Sequence, residues 1–285
     1  MKNAFTIDVE DYFQVQAFAG VVKRDTWDGY ESRVQANTGR ILDLLDSKNV
    51  KGTFFVLGWV AKRYPDIVRE IAVRGHEVAS HGMSHKLVYT QTEKEFLQET
   101  SDSKKIIEDI YQQPVLGYRA ATYSITNKSL WALDILADLG FEYDSSIYPV
   151  HHDKYGIAKA PRMPHYIELK NNKRLIEFPI ATVPVLNNNF PIGGGGYFRI
   201  FPYMISRFGL RRINNGENKP FVFYLHPWEV DPGQPRIKAG RLSMFRHYTN
   251  VKSCKSKLEK LLDDFTFTPM REVIGNLQAL ETVRY

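Results

Sequence analysis

Gly75-His76-Glu77-Val78-Ala79-Ser80-His81-Gly82-Met83-Ser84-His85 decides the reading of this chain. Gly75 suits the stop of a helix, His76 to Ser80 reads as a buried strand, and two histidines follow at i and i+4. Upstream, Pro65 suits a first helical position, with Ile67, Val68 and Ile71 as the apolar stripe. Thr53 to Leu57 is another buried strand, preceded by a helix over Thr38 to Lys48 and a strand over Phe5 to Val9. Downstream, Thr92-Glu93-Lys94-Glu95 is a capping box opening a helix through Tyr111. Strands are expected at Val115 to Arg119, Glu142 to Ser145, Leu175 to Ala181 and Phe221 to Leu225, with a helix from Asn127 to Leu139. This alternation predicts an α/β fold whose parallel sheet is buried on both faces, open or closed into a barrel.

Residues 150 to 220 break the rhythm, being rich in Pro, Gly and Asn. Pro191 to Gly196 reads PIGGGG, but Tyr197-Phe198-Arg199 follows where a phosphate loop needs Lys-Ser/Thr. A flexible loop bordered by Tyr197, Phe198, Phe201 and Tyr203 is the expectation, its aromatics free to stack on a sugar or on one another. Val251 to Phe265 carries apolar residues at helical spacing beneath Lys252, Lys255, Lys257 and Lys260, an amphipathic helix with a solvated basic face. The chain is expected to form one domain, 1–285, with a loop-rich insertion at about 150–220 and a helical extension at about 240–285.

The 285 residues are 43% apolar and 25% charged, a profile that excludes a disordered chain. The longest near-apolar run, Thr53 to Ala61, falls far short of the roughly 20 residues of a membrane helix. Acids by position 8 argue against a secretory leader. Thirty-eight basic against 32 acidic residues give +6, too diffuse to indicate a nucleic-acid binder. The single Cys254 rules out an internal disulfide or a multi-cysteine zinc cage.

Ligand sites in such sheets form at the carboxyl ends of the strands. There the sequence puts Asp8, Glu10 and Asp11, then His81 and His85, Arg119, Asp144 and His226. His76-Glu77 begins a zincin helix, but Ser80 stands where its second histidine belongs. Two imidazoles and one carboxylate would leave open positions on a divalent ion, the layout of a catalytic site.

These residues resemble the motifs of the NodB-homology polysaccharide deacetylases, carbohydrate esterase family four. Thr6-Ile7-Asp8 with the following acids is similar to the first motif, and Gly75 to His85 to the second. Gly117-Tyr118-Arg119-Ala120, Tyr143-Asp144-Ser145 and Tyr224-Leu225-His226-Pro227 are similar to the third, fourth and fifth. The resemblance implies an irregular (β/α) barrel of about seven strands that hydrolyses the N-acetyl group of an amino sugar. It implies one divalent metal ion, zinc first, with Co, Mn, Ni or Fe as alternatives, polarising the amide carbonyl and holding the attacking water. The implied ligands are Glu10, His81 and His85, with Asp11 as the alternative to Glu10. Asp8 is then the general base oriented by Arg119, Thr122 the backbone oxyanion donor, and His226 the general acid, its pKa raised by Asp144. Tyr197, Phe198 and Trp228 are the expected substrate walls.

Phe178-Pro179, Gly193 to Arg199, His226 to Glu229, Asp231 to Arg236 and Phe245 to Tyr248 resemble a subgroup encoded with bacterial exopolysaccharide genes. That implies an N-acetylated saccharide as partner and a cytoplasmic location, at the inner membrane face in one variant, with peripheral membrane contact and oligomeric state left open. Two other readings compete: a non-catalytic carbohydrate-binding protein on the same fold, and a metal-free glycosidase using the acids after the first strand. Carboxylates two residues apart on one strand are poorly placed to flank a glycosidic bond.

Overall fold

Strand β1 (Lys2–Val9) is buried on both faces from Asn3 onward, because it lies in the middle of a parallel sheet. In the computed structural model, which describes residues 1–285, it is followed by α1 (Val34–Ser47), β2 (Thr53–Val56), α2 (Gly58–Arg63), α3 (Pro65–Val73) and β3 (Glu77–Ser80). Then come α4 (Glu93–Tyr111), β4 (Gly117–Tyr118), α5 (Trp131–Asp138), β5 (Tyr143–Asp144), β6 (His165–Glu168) and β7 (Arg174–Glu177). The hairpin β8 (Thr182–Val185) and β9 (Asn188–Pro191) leads to α6 (Gly195–Ile200), α7 (Tyr203–Arg211) and β10 (Val222–Leu225). The chain ends with α8 (Arg241–Tyr248), α9 (Val251–Asp264), β11 (Thr266–Thr268), α10 (Met270–Gly275) and β12 (Thr282–Val283).

Seven strands run parallel in the order β10-β1-β2-β3-β4-β5-β7. Past β7 the chain reaches Ile180, which bridges Val222 of β10, and Ala181 donates to the Val222 carbonyl at 3.2 Å. That contact joins the seven strands into an irregular ring. Strand alternation then divides the core. Ala4, Phe55, Ala79, Val222 and Tyr224 point inward, while Phe5, Ile7, Phe54, Val78 and Phe223 pack under the helices.

Several boundaries differ from the sequence reading, for physical reasons. α1 starts at Val34, not Thr38, because the Asp11 carboxylate accepts from the backbone N–H groups of Arg33 and Val34 and caps it from a distant part of the chain. α5 is confined to Trp131–Asp138, the preceding turn being held by the Ser129 hydroxyl on the Ser124 carbonyl. The 150–220 segment contains β6 to β9, α6 and α7, and β7 is a strand of the ring itself.

The glycine run is no flexible loop. Gly193 accepts from Tyr224 N–H at 2.8 Å and Gly194 bridges Tyr224. At Gly194, φ is +131° and a Cβ would lie 1.9 Å from the Tyr224 carbonyl oxygen, so only glycine lets this segment lie against β10. α4 and α9 follow the sequence reading closely, with both bonds of the Thr92–Glu95 capping box formed. Lys257 is the exception on the basic face: its ammonium donates to the carbonyls of Phe198, Arg199 and Phe201 at the end of α6. No helix is long and apolar enough to cross a membrane.

Candidate active site

The carboxyl ends of β1, β3, β4 and β10 converge on one cleft of about 160 Å³ lined by Asp8, Glu10, His81, His85, Thr122, Trp228 and His226 among others. Glu10 follows β1 directly, His81 follows β3, and His85 sits in the next turn with φ at +53°. One ligand atom from each of Glu10, His81 and His85 falls within 4.8 Å of the others, and all three residues are buried. Nδ1 of His81 lies 2.8 Å from the Arg119 carbonyl, which leaves Nε2 for a ligand. Oε2 of Glu10 is 2.7 Å from Nε2 of His85, yet no aligned hydrogen bond satisfies this buried oxygen. Burial lowers His81 to about 4 against the pull of Asp8 and Glu10, so its ring is neutral at pH 7. Burial opposes the charge on Glu10, but His85, His226 and His81 outweigh it and hold the carboxyl at about 2. A buried carboxylate with an unsatisfied oxygen beside two imidazoles fits a divalent cation.

Asp11, the alternative ligand, is turned away: its carboxylate accepts from Tyr12, Arg33 and Val34 N–H and from the Ser32 hydroxyl. Its acceptor capacity goes to capping α1, which corrects that alternative.

Asp8 closes β1 on the inner side of the ring. Its Oδ1 accepts from Arg119 at 2.6 Å, and its Oδ2 lies 3.9 Å from Nε2 of His226. Arg119 is fully buried, donates also to the Thr6 hydroxyl and to both oxygens of Ser145, and lies 4.1 Å over the Phe55 ring. Burial works against its charge, but Asp8 outweighs that and raises its pKa. Thr122 lines the same cleft with φ at +55°, and its N–H makes no hydrogen bond within the protein.

His226 follows β10, and 18% of its side chain remains exposed to the cleft. Nε2 lies 3.6 Å from Glu10, and Nδ1 is 2.7 Å from Oε1 of Glu229. Burial would lower this histidine, but the hydrogen bond to Glu229 and the charges of Glu10, Glu229 and Asp8 raise it to about 9.

Glu229, not Asp144, is therefore the partner of His226. Asp144 is fully buried, accepts from Ser146 and lies beside Glu177; burial raises both carboxyls. Glu229 is in turn held by Arg199 at 2.5 Å, and that guanidinium also donates to the carbonyls of Arg246, His247 and Thr249. Sequence reading missed this pair. The signal was there: Glu229 stands three residues after His226 with Pro227 between, and it accepts from the His226 N–H as in a capping box.

The expected aromatic walls divide. Phe198 is fully buried, edge-on to Phe223 at 4.9 Å, so it is a core residue and no substrate wall. Tyr197 is half-buried and lines a depression next to the cleft. Trp228 lines the cleft but is stacked against His226 at 5.2 Å and His247 at 4.1 Å, with its N–H 3.4 Å from Glu10.

Fold and site together give an α/β protein whose mostly parallel ring carries at its mouth three residues able to hold a metal ion, a braced carboxylate and a braced imidazole. Residues 26–143 match the polysaccharide deacetylase model, and residues 145–275 match a domain of unknown function, DUF3473. The resemblance to polysaccharide deacetylases thus rests on residues 26–143. It is 32% identical over 114 residues to the chitooligosaccharide deacetylase of Rhizobium leguminosarum bv. trifolii, covering 40% of this chain and 49% of that one. It is 30% identical over 79 residues to a peptidoglycan-N-acetylglucosamine deacetylase of Bacillus cereus, 28% of this chain and 37% of that one. The chain thus spans half or less of these curated relatives. A Mycobacterium smegmatis structure assigned to the polysaccharide deacetylases superposes with a TM-score of 0.62 at 22% identity, over 96% of this chain and 88% of that one. An allantoinase, PuuE, reaches 0.61 at 14% identity, over 95% and 88%. A likeness of this kind shows the fold and leaves the substrate to the site.

Proposed function

We propose that this chain is a metal-dependent hydrolase that removes an N-acetyl group from an amino sugar of a polysaccharide or its precursor. The observation that carries the reading is the convergence on one cleft: Nε2 of His226 lies 3.6 Å from the ligand Glu10 and 3.9 Å from Asp8. Base, acid and ligand cluster thus lie within reach of a single amide. The deacetylase activities named for the rhizobial and Bacillus relatives support the same chemistry.

Glu10, His81 and His85 would hold the ion; two imidazoles and a carboxylate suit Zn²⁺ and other first-row ions, and zinc is our choice. When bound, it supplies Lewis-acid polarisation of the amide carbonyl and acidifies water. Asp8, with one oxygen fixed by Arg119, uses the other to take a proton from the nucleophilic water. Thr122 lines this cleft and its N–H is unengaged, so it would serve to steady the developing oxyanion. His226, kept protonated by Glu229, passes its Nε2 proton to the departing amine. Trp228 serves as the platform beneath the His226 ring rather than as an open sugar wall.

One domain over 1–285 suits this reading, since the ring needs β7 and β10 as much as β1 to β5. An exopolysaccharide or its precursor in the cytoplasm, as the subgroup motifs imply, completes the proposal.

The test pairs metal analysis with acetate release. The wild type should carry about one divalent ion per chain and release acetate from N-acetylated oligosaccharides. A His81→Ala, His85→Ala variant should lose both. Equal, negligible metal in the two proteins after incubation with Zn²⁺ would overturn the reading and favour a saccharide-binding protein without turnover.

A further inference from the structure

The cleft does not end at His226. A second depression of about 310 Å³ shares Gln16, Thr122, Tyr155 and Tyr224 with it, so the two form one trough. Its two ends are lined differently. Asp8 and Glu10 line the catalytic end, whereas His152, Lys154 and Arg246 line the far end, where no carboxylate contributes to the wall. Tyr155 forms the shared wall and is fixed in place: the His152 ring lies on it at 3.8 Å and 7°, and Tyr148 stacks on it at 5.7 Å and 12°.

Lys154 and Arg246 are engaged through their backbones alone. The Lys154 carbonyl accepts from the Tyr89 hydroxyl and its N–H donates to His152, while the Arg246 carbonyl accepts from Arg199. Neither side chain meets an acid, in contrast to Arg33, Arg74, Arg162 and Arg211, each ion-paired. The nearest carboxylate in sequence, Asp153, is 77% exposed, with an oxygen 2.9 Å from Nδ1 of His152. Both cations act on the His152 ring. His152 is lowered by its burial, and, against Asp153, both Arg246 and Lys154 lower it further. Both side chains line one depression whose wall holds no acid, so an anion entering it meets two cations with no competing carboxylate.

We propose that the far end of the trough is a subsite for an anionic group carried by the saccharide, a uronate carboxylate or a phosphate, with Lys154 and Arg246 as its recognising side chains. The substrate class is thereby narrowed from N-acetylated sugars in general to anionic ones, an inference that rests on the deacetylase reading of the adjoining cleft. Tyr155 lines both parts of the trough and Tyr197 lines the far part, aromatic faces on which a sugar ring can stack.

The experiment compares three probes on the metal-loaded full chain: a heparosan tetrasaccharide, in which glucuronate alternates with N-acetylglucosamine; neutral chitotetraose; and UDP-N-acetylglucosamine. Acetate release and calorimetric binding are both recorded. Wild type should favour one anionic probe over chitotetraose by about tenfold, and the preference should shrink with salt. In Lys154→Ala, Arg246→Ala the ratio should fall to about one. Which anionic probe is favoured distinguishes carboxylate from phosphate. If no probe is deacetylated, the deacetylase reading fails, and the binding ratio still decides the subsite. Equal affinity for charged and neutral probes, or a preference that survives the double variant, overturns the proposal.

Discussion

Between β1 and β4, the ionisable side chains that reach the cleft sit at a strand's last residues or in the turn just beyond: Asp8 and Glu10, His81 and His85, with Arg119 buried behind Asp8. On the other side of the ring, His226 also follows its strand, but what governs it comes from elsewhere. Its partner Glu229 lies in the next turn, and the arginine that fixes Glu229 lies on α6, 30 positions away in the chain. The two family models divide the ring along a similar line, the deacetylase model holding β2 to β4 and the second model β7 and β10. The first half sets its groups at strand ends that meet in the sheet, with Arg119 after β4 bracing Asp8 and the Arg119 carbonyl meeting His81. The second half positions a single imidazole through a buried Arg199–Glu229–His226 chain and an aromatic platform. Glu10, Asp8, His81 and His85 are thus placed by neighbouring strand ends, while His226 depends on an ion pair drawn from a helix outside the sheet.

The largest effects should come from the two groups that face each other across this divide. Asp8→Asn and His226→Ala should each lower turnover by about 10²- to 10⁴-fold with the metal still bound. Steady-state acetate release beside metal analysis checks this. Wild-type turnover in either variant would remove that residue from the chemistry and break the pairing of the halves.

A smaller effect should follow from Glu229→Gln, about 10- to 100-fold in turnover, by analogy with the loss of an orienting partner behind a working histidine. The pH profile separates orientation from charge. With His226 raised to about 9, a step needing its proton runs at full rate below that pH and declines as pH rises through it. Glutamine keeps a hydrogen bond but removes the charge, so the alkaline limb should move down toward the ordinary 6.5. Glu229→Asp should retain more of the original profile. An unmoved limb in the glutamine variant would show that Glu10 and Asp8 alone hold the proton, and the contrast between the halves would collapse.

Sequence reading succeeded where structure is local and failed where it is tertiary. The Thr92 capping box, the Val251–Asp264 helix and the strand-end acids and histidines depend on neighbours a few residues away, and all were legible. Asp11 was read with its strand, yet its carboxylate serves a helix start 22 and 23 positions on. Asp144 was assigned to His226 through a motif, but in the ring its side chain meets Ser146 and Glu177. The glycines looked mobile because composition reports freedom of the unfolded chain; packed against β10, the same lack of a Cβ permits close approach.

Tyr197 and Phe198 give the finest test, because they are adjacent in sequence and opposite in environment. Their shared aromatic character made both plausible sugar walls, and helix α6 sends them to different sides. Phe198 fills the layer beneath the helices against Phe223, so Phe198→Ala should cost about 3–5 kcal/mol of stability, read as a lowered midpoint in chemical denaturation. Tyr197 borders the trough with its ring half-buried beside Phe201 at 6.1 Å. Tyr197→Ala should change stability by under about 1 kcal/mol. It should instead raise KM for a tetrasaccharide by about three- to tenfold, the share of one stacking face, with kcat little altered. A shorter substrate that does not reach past Tyr155 should be indifferent to the change. If Tyr197→Ala destabilises the fold as Phe198→Ala does, the tyrosine is a packing residue and the trough loses that wall. If it raises KM equally for short and long substrates, the ring acts on the cleft itself and not on the path leading from it.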